Sequence, residues 1–402
     1  MSDRLHQFIF RIQFVKFYDL LQVFPMMLSW FCSLFYKLKH NNVWLICERR
    51  TEARENGYWF FKYMCENHPE VESIYAIEES SVDYDKVASL GKVVRFGSFK
   101  HWLYYWTARK NLSSQKEGKP NPALCYILEV YLGARKNRVY LKHGIIHNYQ
   151  RWIFKDISKI NLMICGAKRE LEYMNKEFGY SSNELALTGL SRYDHLLTPH
   201  EVKRQILIMP TMREWLRAIS SETDVYESSR DVSQSEYVVT YNNLLNNKEL
   251  HHILDANDIK LVFYPHNGMQ KYFNLFKSGH KRITIADNQH YDVQALLMES
   301  AMLVTDYSSI HFDFAYMKKP LAYWQFDSER FFAEQYGKGY FRFDEDGFGP
   351  LCAEKEQIID FIEAELKNGM QVEAKYAERA ERNFIEFSTD HCRKTYEEIL
   401  KF

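Results

Sequence analysis

Ten short runs rich in β-branched and other apolar residues, each set off from the next by a helix-length segment, constrain this 402-residue chain more than any other feature. In the first half they are Val43–Cys47, Ile74–Ile77, Lys92–Phe96, Arg138–Lys142 and Leu162–Cys165. In the second half they are Gln205–Met209, Lys260–Tyr264, Arg282–Ala286, Met302–Thr305 and Leu321–Trp324. Strands this apolar have no polar face to give to water, so both faces of their sheets must be covered, as in parallel sheets flanked by helices. Two successive sets predict two doubly wound α/β domains facing a cleft. Length agrees, because a chain this long exceeds one core of roughly 150–200 residues. The pattern breaks at Thr198 and Pro199. The organisation therefore reads as N-terminal helices over 1–40, a first domain over 41–198, a second over 199–375, and charged amphipathic helices over 376–402 that cross back toward the first domain. Ser220–Ser235, polar and serine-rich, reads as a mobile loop or insertion in the second domain.

Composition removes several function classes. A formal net charge of −1 supplies no basic field for nucleic acid. The seven cysteines, Cys32, Cys47, Cys65, Cys125, Cys165, Cys352 and Cys392, lie far apart without a CxxC pair. That usage points to a reduced, cytoplasmic protein without a zinc cage. No small-residue cleavage site follows the N-terminal apolar stretch, so no signal peptide is expected. Between residues 8 and 19, Phe8, Phe10, Phe14 and Phe17 alternate with Arg11, Lys16 and Asp19, and Val23 to Tyr36 is almost wholly apolar. That run of about 14 residues falls short of the roughly 20 that span a bilayer. It fits a helix lying in the membrane interface, or equally a pair of helices packed on the first domain.

In open parallel sheets, ligands bind beyond the carboxyl ends of the strands, so candidate chemistry is sought there. Met302-Leu-Val-Thr-Asp-Tyr-Ser-Ser309 ends a strand and opens a helix. Ser308 and Ser309 at a helix start cap free N–H groups and make an anion site, with Asp313 on the same face one turn on. Val139 to His147 delivers His143 to a strand end, with Gly144 letting the chain turn. A histidine there suits a general base. His147 stands four residues on, but no third ligand in register supports a metal site. Lys260 to His266 is the matching strand end of the second domain, placing His266 opposite His143. Ile206 to Arg213 stops at Pro210 and presents Thr211 and Arg213, whose forked donors suit a phosphate. Thr188-Gly-Leu-Ser-Arg192 is a glycine turn ending in arginine before the linker.

Together these elements resemble the CDP-glycerol glycerophosphotransferase family, the teichoic-acid and capsule-polymer enzymes. The resemblance covers roughly residues 135–365 and is most specific at Thr305–Asp327 and Gly339–Leu351. The family's HG element matches His143-Gly144, its TGxxR element Thr188 to Arg192, its Pro-Thr strand end Pro210-Thr211, and its later histidine His266. Its serine pair matches Ser308-Ser309, and its aspartate Asp313. This chain departs where members often carry HGTP, reading His143-Gly-Ile-Ile146, and where they often carry HP, reading Pro265-His266-Asn267.

The resemblance implies a GT-B-like pair of Rossmann-like domains and transfer of glycerol phosphate, or a related polyol phosphate, from CDP-glycerol or CDP-ribitol. The acceptor would be a hydroxyl of a glycan or lipid-linked chain, and CMP would leave. It implies a bacterial peripheral enzyme at the cytoplasmic face of the cell membrane, with no metal site and no required cofactor, Mg²⁺ being compatible with the reaction but not indicated by the residues. His143 and His266 would be catalytic. Gly144, Arg192, Pro210, Thr211, Arg213, Ser308, Ser309 and Asp313 would hold the donor. Two other readings of the same residues are a GT-B glycosyltransferase using a nucleotide sugar and a non-catalytic nucleotide-binding membrane adaptor. The two histidines at strand ends weigh against the adaptor.

Overall fold

The computed structural model describes residues 17–116, 118–134, 137–216 and 232–402. The aromatic–cationic stretch ahead of Phe17 and residues 220–231 of the serine-rich segment lie outside the described residues. The chain builds two sheets in which every described pairing is parallel. The first holds β1 (Val43–Cys47), β2 (Glu72–Ile77), β3 (Lys92–Arg95), β4 (Lys110–Ser113), β5 (Arg138–Tyr140), β6 (Leu162–Cys165) and β7 (Leu185–Leu187). Its spatial order is β3-β2-β1-β4-β5-β6-β7. The second holds β8 (Lys203–Ile208), β9 (Lys260–Phe263), β10 (Ile283–Ile285), β11 (Ser300–Thr305), β12 (Leu321–Trp324) and β13 (Leu351–Cys352), in the order β10-β9-β8-β11-β12-β13.

The apolar runs become these strands because both faces are covered. Every residue of β1, β11 and β12 is buried. The edge strand β3 instead exposes Lys92 and Arg95, charges that discourage pairing with another chain. Three strands escaped the sequence pattern for physical reasons. In β4, Lys110-Asn-Leu-Ser is polar, yet Lys110 is buried with its ammonium 4.3 Å from the Phe402 ring centroid. The strands β7 and β13 have three and two residues, too few to show a period.

Strand order reverses between β1 and β4 and between β8 and β11, and in such sheets ligand crevices open at those points. One continuous core joins the two sheets there, packing Ile145 and Leu190 against Met209, Leu297 and Phe312. Within it Tyr193 stacks on Tyr316, ring centroids 4.1 Å apart. The last helix, His391–Lys401, returns to the first sheet, where Cys392 and Ile399 join Trp44 and Phe60. Asp194 accepts from the N–H groups of His391 and Cys392 at that helix start.

The Gly339–Leu351 segment serves this junction. The His147 ring sits among His311, Phe312, Phe341 and Phe343, with centroids 5.1 to 5.8 Å away. A β-carbon on Gly339 would collide with the His147 carbonyl oxygen, so glycine is required for this approach. His147 is therefore a packed interior residue, and the metal reading of the His143/His147 spacing has no support in its position.

At the N-terminus, Phe17–Leu21 and Val23–Tyr36 form a helical stretch that by length and composition is enough to cross a membrane. It is longer than the apolar run alone predicts, because the helix continues back through Asp19 and Gln22. Its polarity is inverted. The inward side carries Asp19, Gln22, Ser29 and Ser33. Asp19 accepts from Asn121 Nδ2 at 2.7 Å, Gln22 from Trp102 Nε1 at 2.9 Å, and the Met26 carbonyl from Trp106 Nε1 at 3.1 Å. The outward side exposes Phe17, Leu20, Leu21, Phe24, Met27 and Phe35.

Three buried histidines give the fold a pH signature. Burial pushes His101 down to about 3 and His147 down to about 4, and it lowers His311 well below the usual imidazole range, with His147 adding to that last shift. Below about pH 6.5 the unfolded chain binds protons on these rings that the folded chain does not, so stability falls as pH drops from there toward about 4. Each such ring steepens the slope by up to about 1.4 kcal/mol per pH unit. Urea unfolding between pH 7 and pH 4.5 is expected to show this loss, and His147→Phe should flatten the slope. An unchanged slope in that variant would contradict the assignment.

Candidate active site

The carboxyl ends of both sheets face a cavity of about 390 Å³. Three side-chain crossings hold it. Arg54, which pairs with Asp83 at 2.8 Å, donates to the carbonyls of Asn288 and Tyr291. Trp59 Nε1 donates to Gln294 Oε1 at 2.6 Å. Arg192 grips Asp313 through Nε and Nη2 at 2.8 to 3.1 Å.

His143 reaches this cavity because the chain reverses just before it. Lys142, after β5, adopts φ +65°, a left-handed conformation that costs a non-glycine residue roughly 1–2 kcal/mol. Its side chain turns inward, where Nζ meets Glu170 at 2.5 Å with both side chains fully buried. Glu170 also accepts the N–H groups of Ile146 and Gly166, and the Lys142 carbonyl accepts from Asn56 Nδ2 at 2.7 Å. With the backbone pinned on both sides, the His143 side chain stays 52% exposed in the cavity. A β-carbon on Gly144 would collide with Ser309 Oγ, so this glycine permits contact between the two halves.

The first-half residue that the sequence did not reveal is Glu55. Its Oε1 lies 2.5 Å from His143 Nδ1, and Gln115 Nε2 donates to its Oε2 at 2.7 Å. Burial pushes the Glu55 carboxyl up, but the adjacent His143, with Arg49 and Arg192 beyond, outweighs burial and holds it below its ordinary value. His143 Nδ1 lies between this carboxylate and Gln115 Nε2, 3.0 Å away; with the ionised Glu55 taking the Nδ1 proton, Nε2 of the neutral ring is the proton acceptor. Glu48 shapes the loop that carries Glu55, taking the N–H groups of Arg54 at 2.9 Å and Tyr58 at 2.8 Å. Glu55 stands after β1 and immediately ahead of the Asn56–Asn67 helix. The strand-end rule applied to β1 points to this loop but does not separate Glu55 from Glu48, Arg49 or Arg50.

His266 lines the same cavity from the end of β9 with the opposite hydrogen-bond polarity. Its Nδ1 accepts from the Gly268 N–H at 3.1 Å, so a neutral ring carries its proton on Nε2 and is a donor there. Ser308, Ser309 and Asp313 also line the cavity. Ser309 holds the N-cap position of the Ile310–Tyr316 helix without a side-chain cap bond, contrary to the expected capping role. Burial pushes the Asp313 carboxyl up, and the two-pronged contact with Arg192 opposes that shift. Arg192 also donates through Nη1 to the His143 carbonyl at 2.5 Å, and its N–H donates to Asn56 Oδ1 at 3.0 Å.

Pro210, Thr211 and Arg213 fall behind this lining. Arg213 is fully buried between Asp306, 2.8 Å away, and Asp327, 2.6 Å away, and is ringed by Tyr237, Tyr307 and Phe331. Its donors are committed to carboxylates and to the Thr211 carbonyl. The expectation that it contacts a phosphate directly is therefore corrected to a role in fixing the β8 and β11 turns against each other. The Thr211 N–H donates to Asp306 in the same network. Among the described residues no group of three or more His, Cys, Asp or Glu side chains is placed to hold a metal ion.

Residues 28–399 match the family described as CDP-glycerol:poly(glycerophosphate) glycerophosphotransferase. The chain is 30% identical over 369 residues to the minor teichoic acid biosynthesis protein GgaB of Bacillus subtilis (strain 168), covering 89% of this chain and 40% of that protein. It is 24% identical over 367 residues to the teichoic acid poly(glycerol phosphate) polymerase of Bacillus spizizenii (strain ATCC 23059 / NRRL B-14472 / W23), covering 85% and 87%. Against GgaB and the corresponding polymerase of Bacillus subtilis (strain 168), the chain spans 40% and 41% of the relative's length. The solved structure of the wall teichoic acid polymerase TagF is similar with TM-score 0.68 at 14% identity, covering 100% of this chain and 98% of that one. UDP-GlcNAc 2-epimerase from Neisseria meningitidis is also similar, with TM-score 0.51 at 12% identity, covering 90% and 100%. These structural likenesses speak for the fold, two facing parallel sheets of GT-B-like form. The chain belongs to the CDP-glycerol:poly(glycerophosphate) glycerophosphotransferase family.

Proposed function

We propose that this chain transfers glycerol phosphate from CDP-glycerol to a hydroxyl of a lipid-linked or glycan acceptor, releasing CMP, during synthesis of a teichoic-acid-type surface polymer. The observation that carries this reading is the pair of histidines lining one cavity, His143 with Nδ1 against the Glu55 carboxylate and His266 with Nδ1 accepting from the Gly268 N–H.

In this mechanism the acceptor hydroxyl attacks the distal phosphorus of CDP-glycerol while His143 Nε2 takes its proton. The bond from that phosphorus to the bridging oxygen breaks, its electron pair leaving with CMP. His266 Nε2–H and the polar groups of Ser308 and Ser309 stabilise the charge that develops on the departing phosphate. Positioning and oriented donors carry most of such a phosphoryl transfer. The buried Arg192–Asp313 pair fixes the floor of the cavity and the carbonyl of His143.

The inverted N-terminal helix supports attachment to a membrane surface. Its polar side is spent on the helices that cover the first sheet, so an interfacial seat with the apolar side in lipid fits it better than a crossing. In a bacterium the active face would then be cytoplasmic, where CDP-activated donors are made and lipid-linked acceptors are presented.

Purified protein with CDP-glycerol and an acceptor should release CMP. His143→Ala should slow release by about 10³-fold, and Glu55→Gln by about 10²-fold, both with unchanged thermal unfolding. Wild-type turnover in His143→Ala would remove the base assignment. CDP-ribitol and nucleotide sugars assayed alongside identify the donor, and turnover only with a nucleotide sugar would overturn the proposal. Deleting residues 1–36 should weaken sedimentation with anionic vesicles, and equal sedimentation would defeat the interfacial seat.

A further inference from the structure

A second cavity, of about 640 Å³, lies over the carboxyl ends of β1, β2 and β3, beside the donor cleft. Its floor is Arg49 and Arg50 after β1, Glu78 after β2 and Arg95 at the end of β3. Arg49 lines both cavities, so the two are contiguous at that side chain, close enough to Glu55 to lower its carboxyl. One wall is the N-terminal helical stretch, through Tyr18, Asp19 and Gln22. The same stretch exposes Phe17, Leu20, Leu21 and Phe24 on its outer side. The groove thus runs from the helix with the apolar outer face to Arg49, the side chain it shares with the His143 cavity.

The three guanidiniums of this groove differ in how far they are committed. Arg50 pairs with Glu78 at 2.5 Å and Arg49 with Glu52 at 3.2 Å, while Asp19 accepts from Asn121 at 2.7 Å. Arg95 is exposed and makes no ion pair among the described residues. The exposed Arg95 guanidinium, with Arg50 and Arg49 beside it, in a trough that meets the His143 cavity at Arg49, fits an elongated anionic ligand. Guanidinium forks match phosphate oxygens in particular.

We propose that this groove is the acceptor track, and that Arg49, Arg50 and Arg95 hold phosphates of an anionic acceptor chain whose terminal hydroxyl reaches His143. The inference rests on the phosphotransferase reading above for the identity of the reacting end. The chemistry agrees, because a chain extended by glycerol phosphate carries a phosphodiester one unit behind each new hydroxyl. Arg95, farther from the dyad along the strand ends, grips a more distant phosphate and has no part in holding CDP-glycerol.

The test uses the full chain and a fluorescent glycerol-phosphate tetramer as the probe, with CDP-glycerol binding measured on the same samples. Losing one charge-assisted contact and gaining a repulsion in Arg95→Glu should weaken the tetramer by about tenfold or more at low salt, and less at high salt. Affinity for CDP-glycerol should stay within about twofold, because tenfold corresponds to a full contact. Arg95→Gln should give an intermediate loss, which separates charge from misfolding. Unchanged tetramer affinity in Arg95→Glu would overturn the proposal, and so would a parallel loss of CDP-glycerol. Loss of binding to anionic vesicles with intact tetramer binding would make the groove a lipid-headgroup site and also overturn it. Wild-type protein that binds the tetramer through Arg95 but releases no CMP from any donor would defeat the proposed reaction and leave the groove standing.

Discussion

The ion pair between Arg192 and Asp313 is the constraint on which the rest of the cleft depends. Arg192 closes the glycine turn after β7, Asp313 sits in the first turn of the helix after β11, and both side chains are almost wholly buried. Breaking such a pair from one side leaves an uncompensated buried charge, a loss of about 3–5 kcal/mol and larger than the pair's own net contribution. The same arginine reaches the His143 carbonyl and, through its N–H, Asn56, which in turn holds the Lys142 carbonyl. One guanidinium therefore ties the second sheet to the reversal that presents His143. The position of the imidazole and the closure of the two sheets are a single structural event.

Around that constraint the chain sorts its charges by burial. Arg213, Asp306 and Asp327 form a sealed network behind the cavity, and Lys142 with Glu170 forms another beneath it. His143, His266, Arg49 and the serine pair remain at the cavity surface. Buried pairs of this kind contribute little net stability but fix geometry strongly when every donor and acceptor is satisfied. The N-terminal stretch reverses the usual sorting, with polar groups inward and aromatic and aliphatic groups outward.

Much of this was legible in the sequence, and the exceptions have clear causes. The runs at β1, β11 and β12 read directly as strands because both their faces are buried. Lys110-Asn-Leu-Ser did not, because its polar side chains show no strand period and its buried lysine meets the Phe402 ring from the far end of the chain. That His143, His266, Ser308 and Ser309 line one cavity follows from their place at strand ends, where an open parallel sheet binds ligands. Glu55 was not, because its meaning comes from a partner on another strand. Arg213 was read as a phosphate ligand because its neutralising carboxylates lie 93 and 114 positions away. Gly339–Leu351 matched the family as strongly as the serine segment, yet what it supplies is the packing surface for the His143–Tyr149 loop.

The claim that Arg192 and Asp313 act as one unit in building the site is open to a double-mutant cycle on CMP release. Arg192→Ala, Asp313→Ala and the double variant would be compared by kcat/KM, with folding checked by thermal unfolding. If the pair assembles the cavity, the double variant should be about as impaired as the worse single one, a coupling of about 1–3 kcal/mol. Losses that simply multiply, with no coupling, would contradict the account.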